Sequence, residues 1–283
     1  MKKISTIIST LTINDLDVFS VGIEYIFKYI EFQNITISVP DRDVDAIAKE
    51  LANYNRLKIV ADSSVINENQ RNEIKSQLDN CGFPQMYGWY LQQFIKIKLV
   101  ADLHEDAIAL IWDSDTIPLR PLNFIGNNNS LNYFVGYEYH EPYFIMLNKI
   151  LGIKKKTPHS FVAQCFPVQS IDAKNLIKKI GGDKWIFNIM NSLDSDSLNQ
   201  FSEYETLGNY LLEYHPEKVN LSFSAWSRNG NIYFYIFGDL KKAIKKLEYK
   251  YSFVAFEKIN ITRMSWMISK FKKLFIYIKN LFI

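Results

Sequence analysis

Short apolar runs alternate with longer stretches of helical periodicity through the first half of the chain. The short runs have the length and apolar character of buried strands. They occupy residues 4–11, 34–40, 57–62 and 107–113. The longer stretches repeat apolar residues at the three- and four-residue spacing of a helix that is buried on one side. They occupy residues 17–30, 43–55 and 84–103.

This alternation of strand and helix predicts an α/β fold, with a mostly parallel central sheet flanked by helices as in a Rossmann-like domain. In such sheets, ligands bind outside the carboxyl ends of the strands. No internal repeat and no linker rich in proline or glycine divides the sequence. We therefore predict one domain over residues 1–257, followed by a C-terminal appendage over residues 258–283.

Composition narrows the class of protein and its compartment. The chain has 283 residues, of which 48% are hydrophobic, and this is enough for a large buried core. A net charge of +3 is too small to indicate nucleic-acid binding. Two cysteines do not make a disulfide framework or a metal cluster, and Asp15 and Asp17 come too early for a secretory signal. We therefore expect a cytoplasmic protein.

The strand predicted at 107–113 ends in two carboxylates, Asp113 and Asp115, with only Ser114 between them. Two carboxylates held close together repel each other, and a divalent cation relieves this repulsion. Mg²⁺ and Mn²⁺ prefer oxygen ligands, and Mg²⁺ commonly completes its shell with phosphate oxygens and water. The pair therefore indicates a Mg²⁺ or Mn²⁺ site for a substrate that carries a diphosphate. A bare D-x-D tripeptide is also typical of a loop in which an aspartate caps a turn.

The segment IWDSDTIPLRPL resembles the D-x-D region of GT-A glycosyltransferases, the nucleotide-diphospho-sugar transferase type. The resemblance extends to GWYLQQFIKI before it and FSEYETLGNYL after it, and it spans roughly residues 5 to 225. More narrowly, the sequence resembles bacterial sugar transferases that are encoded with surface-polysaccharide genes. This resemblance implies a GT-A domain with a nucleotide-diphospho-sugar as donor. It also implies that Asp115 is the main metal ligand and that Asp113 contacts the metal or the ribose.

Phosphatases of the haloacid-dehalogenase type use a related motif, D-x-D-x-[T/V]. In this chain Ile117 occupies the last position of that motif, and Thr116 stands one place early. The phosphatase motif also follows the first strand of its domain, whereas this one follows at least three predicted strands. The phosphatase interpretation is therefore the weaker one.

The segment FSEYETLGNYLLEY begins a second helix that concerns the site. Ser202 and Glu205 fit a helix capping box, which leaves Glu203 without a structural role in the first turn. Inverting GT-A enzymes place an acidic residue at the start of such a helix as general base. The resemblance therefore implies Glu203 or Glu205 as the base, with Glu203 ahead. Neither need be a base if the enzyme retains the anomeric configuration.

Further binding residues follow from the same resemblance. Lys96, on the helix predicted at 84–103, is implied to contact the donor sugar or its phosphates. Thr10, Asp15 and Asp62 lie at or just after the ends of the first and third predicted strands, where this fold holds the base and the ribose. His215 is implied as a third metal ligand. Each of these residues also has an ordinary structural explanation, as a turn residue or on a solvated helix face.

The C-terminal appendage is basic and aromatic, and no acidic residue follows Glu257. Four lysines within 264–283 are too costly for a helix that spans a bilayer. The pattern instead predicts an amphipathic helix that lies on an anionic membrane surface. Packing on the protein body, or a dimer contact, is the alternative. We therefore predict peripheral attachment to the inner face of the cytoplasmic membrane.

Together these features predict a metal-dependent glycosyltransferase. It would move a sugar from a nucleotide-diphosphate donor to a glycan or glycolipid acceptor, such as lipopolysaccharide or capsule. A different class of protein could carry the same fold, namely an inactive scaffold that binds carbohydrate or nucleotide sugar at a membrane assembly. Hydrolysis of the matched donor distinguishes an enzyme from such a scaffold.

Overall fold

The structure is a computed structural model that describes residues 3–126 and 130–257. The amphipathic helix predicted over residues 258–283 lies outside the described residues and stays a prediction. Within the described part of the chain, no helix has both the length and the apolar composition to cross a bilayer.

The strands confirm the predicted central sheet. Their bounds are β1 Ile4–Thr10, β2 Phe32–Val39, β3 Leu57–Ala61, β4 Ile108–Trp112, β5 Thr116–Pro118, β6 Leu131–Phe134, β7 Cys165–Gln169, β8 Val219–Ser222, β9 Trp226–Ser227 and β10 Phe253–Ala255. The largest sheet has the order β3-β2-β1-β4-β7. Strands β1 to β4 run parallel to one another, and β7 runs antiparallel to β4. The sheet is therefore mostly parallel, with one reversed edge strand.

Helices flank this sheet. Their bounds are α1 Leu16–Tyr29, α2 Val44–Glu50, α3 Asp62–Val65, α4 Glu68–Asn80, α5 Tyr87–Ala101, α6 Glu141–Leu151, α7 Ser170–Ile180, α8 Trp185–Met190, α9 Glu203–Tyr214, α10 Gly230–Phe237 and α11 Leu240–Leu247. The predicted α/β class is confirmed, because every strand and helix predicted in the first half of the chain is present.

Burial of the central strands explains why their sequences are continuous apolar runs. All five residues of β4 are buried, and Ile7 and Ile8 of β1 are fully buried beside it. A parallel sheet that is covered on both faces has no solvent side, so its strands do not alternate between polar and apolar residues. Helix α5 is also buried along most of its length, with Phe94 and Ile97 in the core. It contacts β1 of the sheet and helices α7 and α9.

A small second sheet fixes the segment that follows β4. Strand β5, directly after the two aspartates, pairs antiparallel with β10, near the end of the described chain. The backbone N–H of Phe256 donates to the carbonyl oxygen of Asp115 (2.8 Å). Residues far apart along the chain therefore hold the D-x-D turn from both sides.

Candidate active site

The turn after β4 is held by hydrogen bonds and anchored in the core. The indole Nε1 of the fully buried Trp112 donates to the carbonyl oxygen of Thr116 (2.9 Å). The backbone N–H of Thr116 donates to the carbonyl oxygen of Asp113 (3.0 Å), and the N–H of Asp113 donates to the carbonyl oxygen of Gln164 (3.0 Å). The backbone on either side of Asp115 is therefore fixed.

A cavity of about 630 Å³ lies at the carboxyl ends of β1 and β4. This is the end of the sheet at which a ligand site is expected in such folds. The predicted site residues on its wall are Thr10, Asp15, Lys96, Asp113, Asp115 and Glu203. Trp89 and Gln93, which share a face of α5 with Lys96, line the same cavity. The structure thus brings together side chains from β1, α5, the D-x-D turn and the start of α9.

Lys96 is buried between two carboxylates. Its Nζ lies 2.5 Å from Asp113 Oδ1 and 2.9 Å from Glu203 Oε1, and only 4% of its side chain is exposed. Burial alone would lower the pKa of Lys96, but the charges of Asp113 and Glu203 outweigh it and raise that pKa. Tyr204 Oη donates to Asp113 Oδ1 (2.7 Å). Asp113 is therefore held in place by one cation and one hydroxyl.

Asp115 has a different environment. Burial raises the pKa of its carboxyl to about 7, and the neighbouring charges of Asp113, Glu257 and Asp15 add to the shift. The hydroxyl of Thr116 donates to Asp115 Oδ1 (3.2 Å). In the part of the chain that the structure describes, no basic side chain forms an ion pair with Asp115. A carboxylate that faces other carboxylates across a cavity suits a bound cation.

The residues that the structure describes do not form a complete metal site by themselves. Among residues 3–126 and 130–257, no group of three or more His, Cys, Asp or Glu side chains is arranged to hold one. Mg²⁺ does not need such a cage, because it usually binds one or two carboxylates together with substrate phosphates and water. Asp115, with Asp113 beside it, therefore fits a divalent cation that arrives with a phosphate-bearing substrate.

Glu203 and Glu205 have different roles in the structure. Glu203 lines the cavity, and burial raises its pKa while Lys96 opposes the shift. Glu205 is not on the cavity wall. Its Oε1 accepts hydrogen bonds from the Ser160 hydroxyl (2.7 Å) and the Phe161 N–H (3.2 Å), and its Oε2 accepts one from Asn209 (3.1 Å). These bonds use the carboxylate of Glu205 to tie α9 to the segment before β7, so the structure favours Glu203 of the two base candidates.

The two glutamates are expected to respond differently to substitution. Glu203→Gln should reduce turnover of the donor by about a hundredfold, because an amide cannot take up a proton at this position. Glu205→Gln should retain turnover but lower the free energy of unfolding by about 1–3 kcal/mol. The new N–H₂ group would face the hydrogen-bond donors of Ser160 and Phe161 and could not accept from them. Steady-state kinetics and urea unfolding of both variants measure this. Loss of turnover at unchanged stability in Glu205→Gln would contradict the assignment.

A second cavity, of about 680 Å³, adjoins the first. The two share Thr10 and Asp15 on their walls. Asp62 lines the second cavity and accepts a hydrogen bond from the Ser38 hydroxyl (2.6 Å). Burial raises the pKa of Asp62, and the bond from Ser38 partly offsets this. The second cavity thus contains the predicted base- and ribose-binding candidates.

His215 is not part of this arrangement. It follows the last residue of α9, whereas Glu203 is the first residue of that helix. A helix of this length spans roughly 18 Å. The ring of His215 lies near Asp172 (Nε2 to Oδ1, 3.9 Å) and Glu217, and it does not line the cavity. The structure therefore does not bring His215 into the cavity with Asp115, and its role as a third metal ligand stays a prediction.

Several cavity residues were not predicted from the sequence, and Gln164 is the most informative. Its backbone has a φ of 65°, in the left-handed region, which costs a residue with a side chain about 1 kcal/mol. Its side-chain amide donates to Glu257 Oε1 (2.9 Å), and its carbonyl oxygen holds the N–H of Asp113. No sequence signal marks this position, since the conformation favours glycine. Strained backbone of this kind concentrates at functional sites.

A matched pair of substitutions separates the backbone strain from the side-chain contact. Both Gln164→Gly and Gln164→Ala lose the hydrogen bond to Glu257, but only glycine relieves the left-handed conformation. The glycine variant should therefore be more stable than the alanine variant by about 1 kcal/mol. Urea unfolding measures the difference. Equal stability would show that this backbone conformation is unstrained.

Comparison with known proteins identifies the family. Residues 1–220 match the family described as "Family of unknown function (DUF6492)". The chain belongs to this family. A comparison with curated protein sequences finds no significant match for this DUF6492 member.

Three of the solved structures that are similar to the DUF6492 chain are the following glycosyltransferases. Mouse xyloside xylosyltransferase 1 in its apo form is 8% identical with a TM-score of 0.48, over 90% of this chain and 98% of that one. A galactosyltransferase, LgtC, in complex with donor and acceptor sugar analogs, is 12% identical with a TM-score of 0.47, over 89% and 86%. GlyE of Streptococcus pneumoniae is 12% identical with a TM-score of 0.42, over 91% and 55%. Likeness at this level does not establish a reaction for the DUF6492 chain.

Proposed function

We propose that this protein is a metal-dependent glycosyltransferase that moves a sugar from a nucleotide-diphosphate donor to a surface-glycan acceptor. One observation carries the proposal: Asp113, Asp115, Lys96 and Glu203 converge in a single cavity at the carboxyl end of the sheet. The sequence resemblance to GT-A enzymes around the same residues supports it.

Asp115 and Asp113 would hold Mn²⁺ or Mg²⁺. When bound, the ion supplies positive charge that neutralises the departing diphosphate. Lys96 and Tyr204 fix the orientation of Asp113, so this carboxylate needs no reorganisation when the donor arrives. Among the described residues, Asp115 forms no ion pair and accepts a longer hydrogen bond from the Thr116 hydroxyl (3.2 Å), so it is the more available of the two for direct ligation.

The nucleotide would occupy the second cavity. Thr10 and Asp15, shared by both cavities, stand where the nucleotide part of the donor meets the sugar part. Asp62 is positioned to accept hydrogen bonds from a ribose or a base. Arg71 and Lys75 also line this cavity and add positive charge suited to phosphate oxygens.

Glu203 is suited to accept the proton of an acceptor hydroxyl in an inverting transfer. A buried carboxylate with a raised pKa is a better base than an ordinary surface glutamate. Lys96, at 2.9 Å, stabilises its ionised form. Tyr139, His140 and Tyr143 line the same cavity, and aromatic rings of this kind pack well against the apolar faces of a sugar. These aromatic side chains would suit a glycan or glycolipid acceptor at the cytoplasmic face of a membrane.

A donor screen tests the proposal. The purified full-length chain is incubated with Mn²⁺ and each of a panel of nucleotide sugars, and release of nucleoside diphosphate is measured with and without chelator. Chelator-sensitive release with one class of donor supports the proposal. Thermal stabilisation by nucleoside diphosphate plus Mn²⁺, without release from any donor, would instead favour the binding scaffold.

A further inference from the structure

Helices α10 and α11 form a surface of unusual composition, here called the α10–α11 surface. Four consecutive large apolar residues of α10 are exposed. They are Phe234 (39%), Tyr235 (48%), Ile236 (59%) and Phe237 (37%). A helix that is apolar on most sides is normally buried, and large contiguous apolar patches on a protein surface mark interaction sites.

Exposed lysines flank these aromatic residues. Helix α11 buries Ala243, Ile244 and Leu247 on one side and packs against α10. Its other side presents Lys241, Lys242, Lys245 and Lys246, all exposed. Among the described residues, none of these four lysines takes part in an ion pair. Asp239 uses its side chain to cap α11, accepting from the N–H of Lys242 (2.7 Å), so it is already engaged locally.

The charge of this surface decides among its possible partners. The sequence after Glu257 contains six basic residues and no acidic residue. They are Lys258, Arg263, Lys270, Lys272, Lys273 and Lys279. This segment would be repelled by the lysines of α11 rather than neutralise them. A second copy docked through the same surface would likewise bring lysines against lysines, since such an interface places one patch on itself. An anionic partner attracts both the surface and the segment that follows it.

We infer that the α10–α11 surface docks on an anionic lipid surface. The aromatic and aliphatic side chains of α10 enter the headgroup region, and the lysines of α11 contact lipid phosphates. Interfacial helices combine an apolar face with lysines in this way, and each lysine near an anionic leaflet strengthens binding. The inference concerns a surface of the described domain and does not rest on the proposed reaction.

Hydrogen bonds from a side chain of α10 connect the α10–α11 surface to the wall of the candidate active-site cavity. Asn231 Nδ2, in the first turn of α10, donates to the carbonyl oxygen of Phe256 (2.5 Å) and to that of Glu257. The side chain of Glu257 lines the cavity that contains Asp115. Docking through α10 would therefore place this cavity close to the lipid headgroups.

Vesicle flotation of the full-length chain tests the inference. The parent should float with vesicles of equal parts phosphatidylglycerol and phosphatidylcholine, and not with phosphatidylcholine alone, and added salt should weaken binding.

Phe234→Ser/Ile236→Ser should reduce partitioning of the protein onto the anionic vesicles about tenfold or more. Ile145→Ser/Phe187→Ser replaces the same residue types at comparable exposure on α6 and α8, and it should float like the parent. Lys241→Gln/Lys245→Gln should weaken binding about tenfold through charge alone.

Three outcomes would overturn the inference. The parent could fail to bind anionic vesicles. The α10 and α11 variants could float as well as the parent, which would place the lipid contact elsewhere. Alternatively, Phe234→Ser/Ile236→Ser could change only the sedimentation coefficient, which would assign the surface to self-association. All substituted side chains are exposed, and a circular dichroism melt of each variant confirms that it is folded.

Discussion

Replacing Asp115 by asparagine is expected to lower metal-dependent donor turnover by about a thousandfold while the protein stays folded. The amide has the shape of the carboxylate but not its charge, so the ion loses its most available ligand, and an effect of about 4 kcal/mol on the barrier follows. Initial rates with the matched donor over a range of Mn²⁺ concentrations measure this effect. Asp106→Asn, at an exposed position, is the matched control and should keep the parent rate.

The same substitution has a consequence for stability in the absence of metal. The pKa of Asp115 is raised to about 7 in the folded chain, above the value near 3.9 of an unfolded aspartate. The folded state therefore binds more protons, and the parent in chelator should lose stability as the pH rises from about 4 to 7. Asp115→Asn should lack this loss. A parallel decline in both proteins would contradict the environment described for Asp115.

Replacing Lys96 by methionine is expected to lower the free energy of unfolding by about 3–5 kcal/mol. The substitution keeps most of the length of the side chain but leaves Asp113 and Glu203 as buried carboxylates without their shared cation. Breaking a buried pair in this way costs several kcal/mol. Urea unfolding at neutral pH measures the loss. Lys98→Met is the matched control on the same helix: Lys98 pairs with Asp102 in a more exposed position, so its loss should cost about 1 kcal/mol at most.

The pH dependence of the Lys96→Met variant gives a second readout. Without the lysine, the largest effect that opposes the rise in the pKa of Glu203 caused by burial is lost. A carboxyl with a raised folded-state pKa favours the folded state at low pH and loses this contribution as the pH rises. The difference between Lys96→Met and the parent should therefore be smaller at pH 5 than at pH 8. A difference independent of pH would point to lost packing alone.

The central sheet could be predicted because strands that are buried on both faces leave continuous apolar runs. The reversed direction of β7 could not, since an apolar run does not record which way a strand points. Strands β5 and β9 are too short to show any periodicity. Helix α4 was missed because it is polar and buries only Ile74 and Leu78. The capping box of Asn67 and Gln70 was its one sequence signal.

Site residues could be predicted where their position along a strand or a helix determines where they lie in the fold. Asp113 and Asp115 follow a strand, so their placement followed from their position, whereas Lys96 was implied by the family resemblance. The choice between Glu203 and Glu205 depends on which one faces Ser160, and sequence does not contain that information.

The distance of His215 from the cavity could not be predicted for a different reason. A helix of regular length separates His215 from the start of α9, and family resemblance alone did not show where that helix ends. Gln164 and Glu257 lie far along the chain from Asp113 and Asp115, and the tertiary fold brings them to the same cavity.

The pairing of β5 with β10 has a consequence for biosynthesis. The carbonyl oxygen of Asp115 receives its hydrogen bond from Phe256, at the far end of the described domain. During translation, the parallel strands emerge and can begin to associate long before that residue leaves the ribosome. Contacts this distant in sequence form late and slow the final step of folding. The nascent chain therefore cannot complete the aspartate turn until Phe256 has been synthesised.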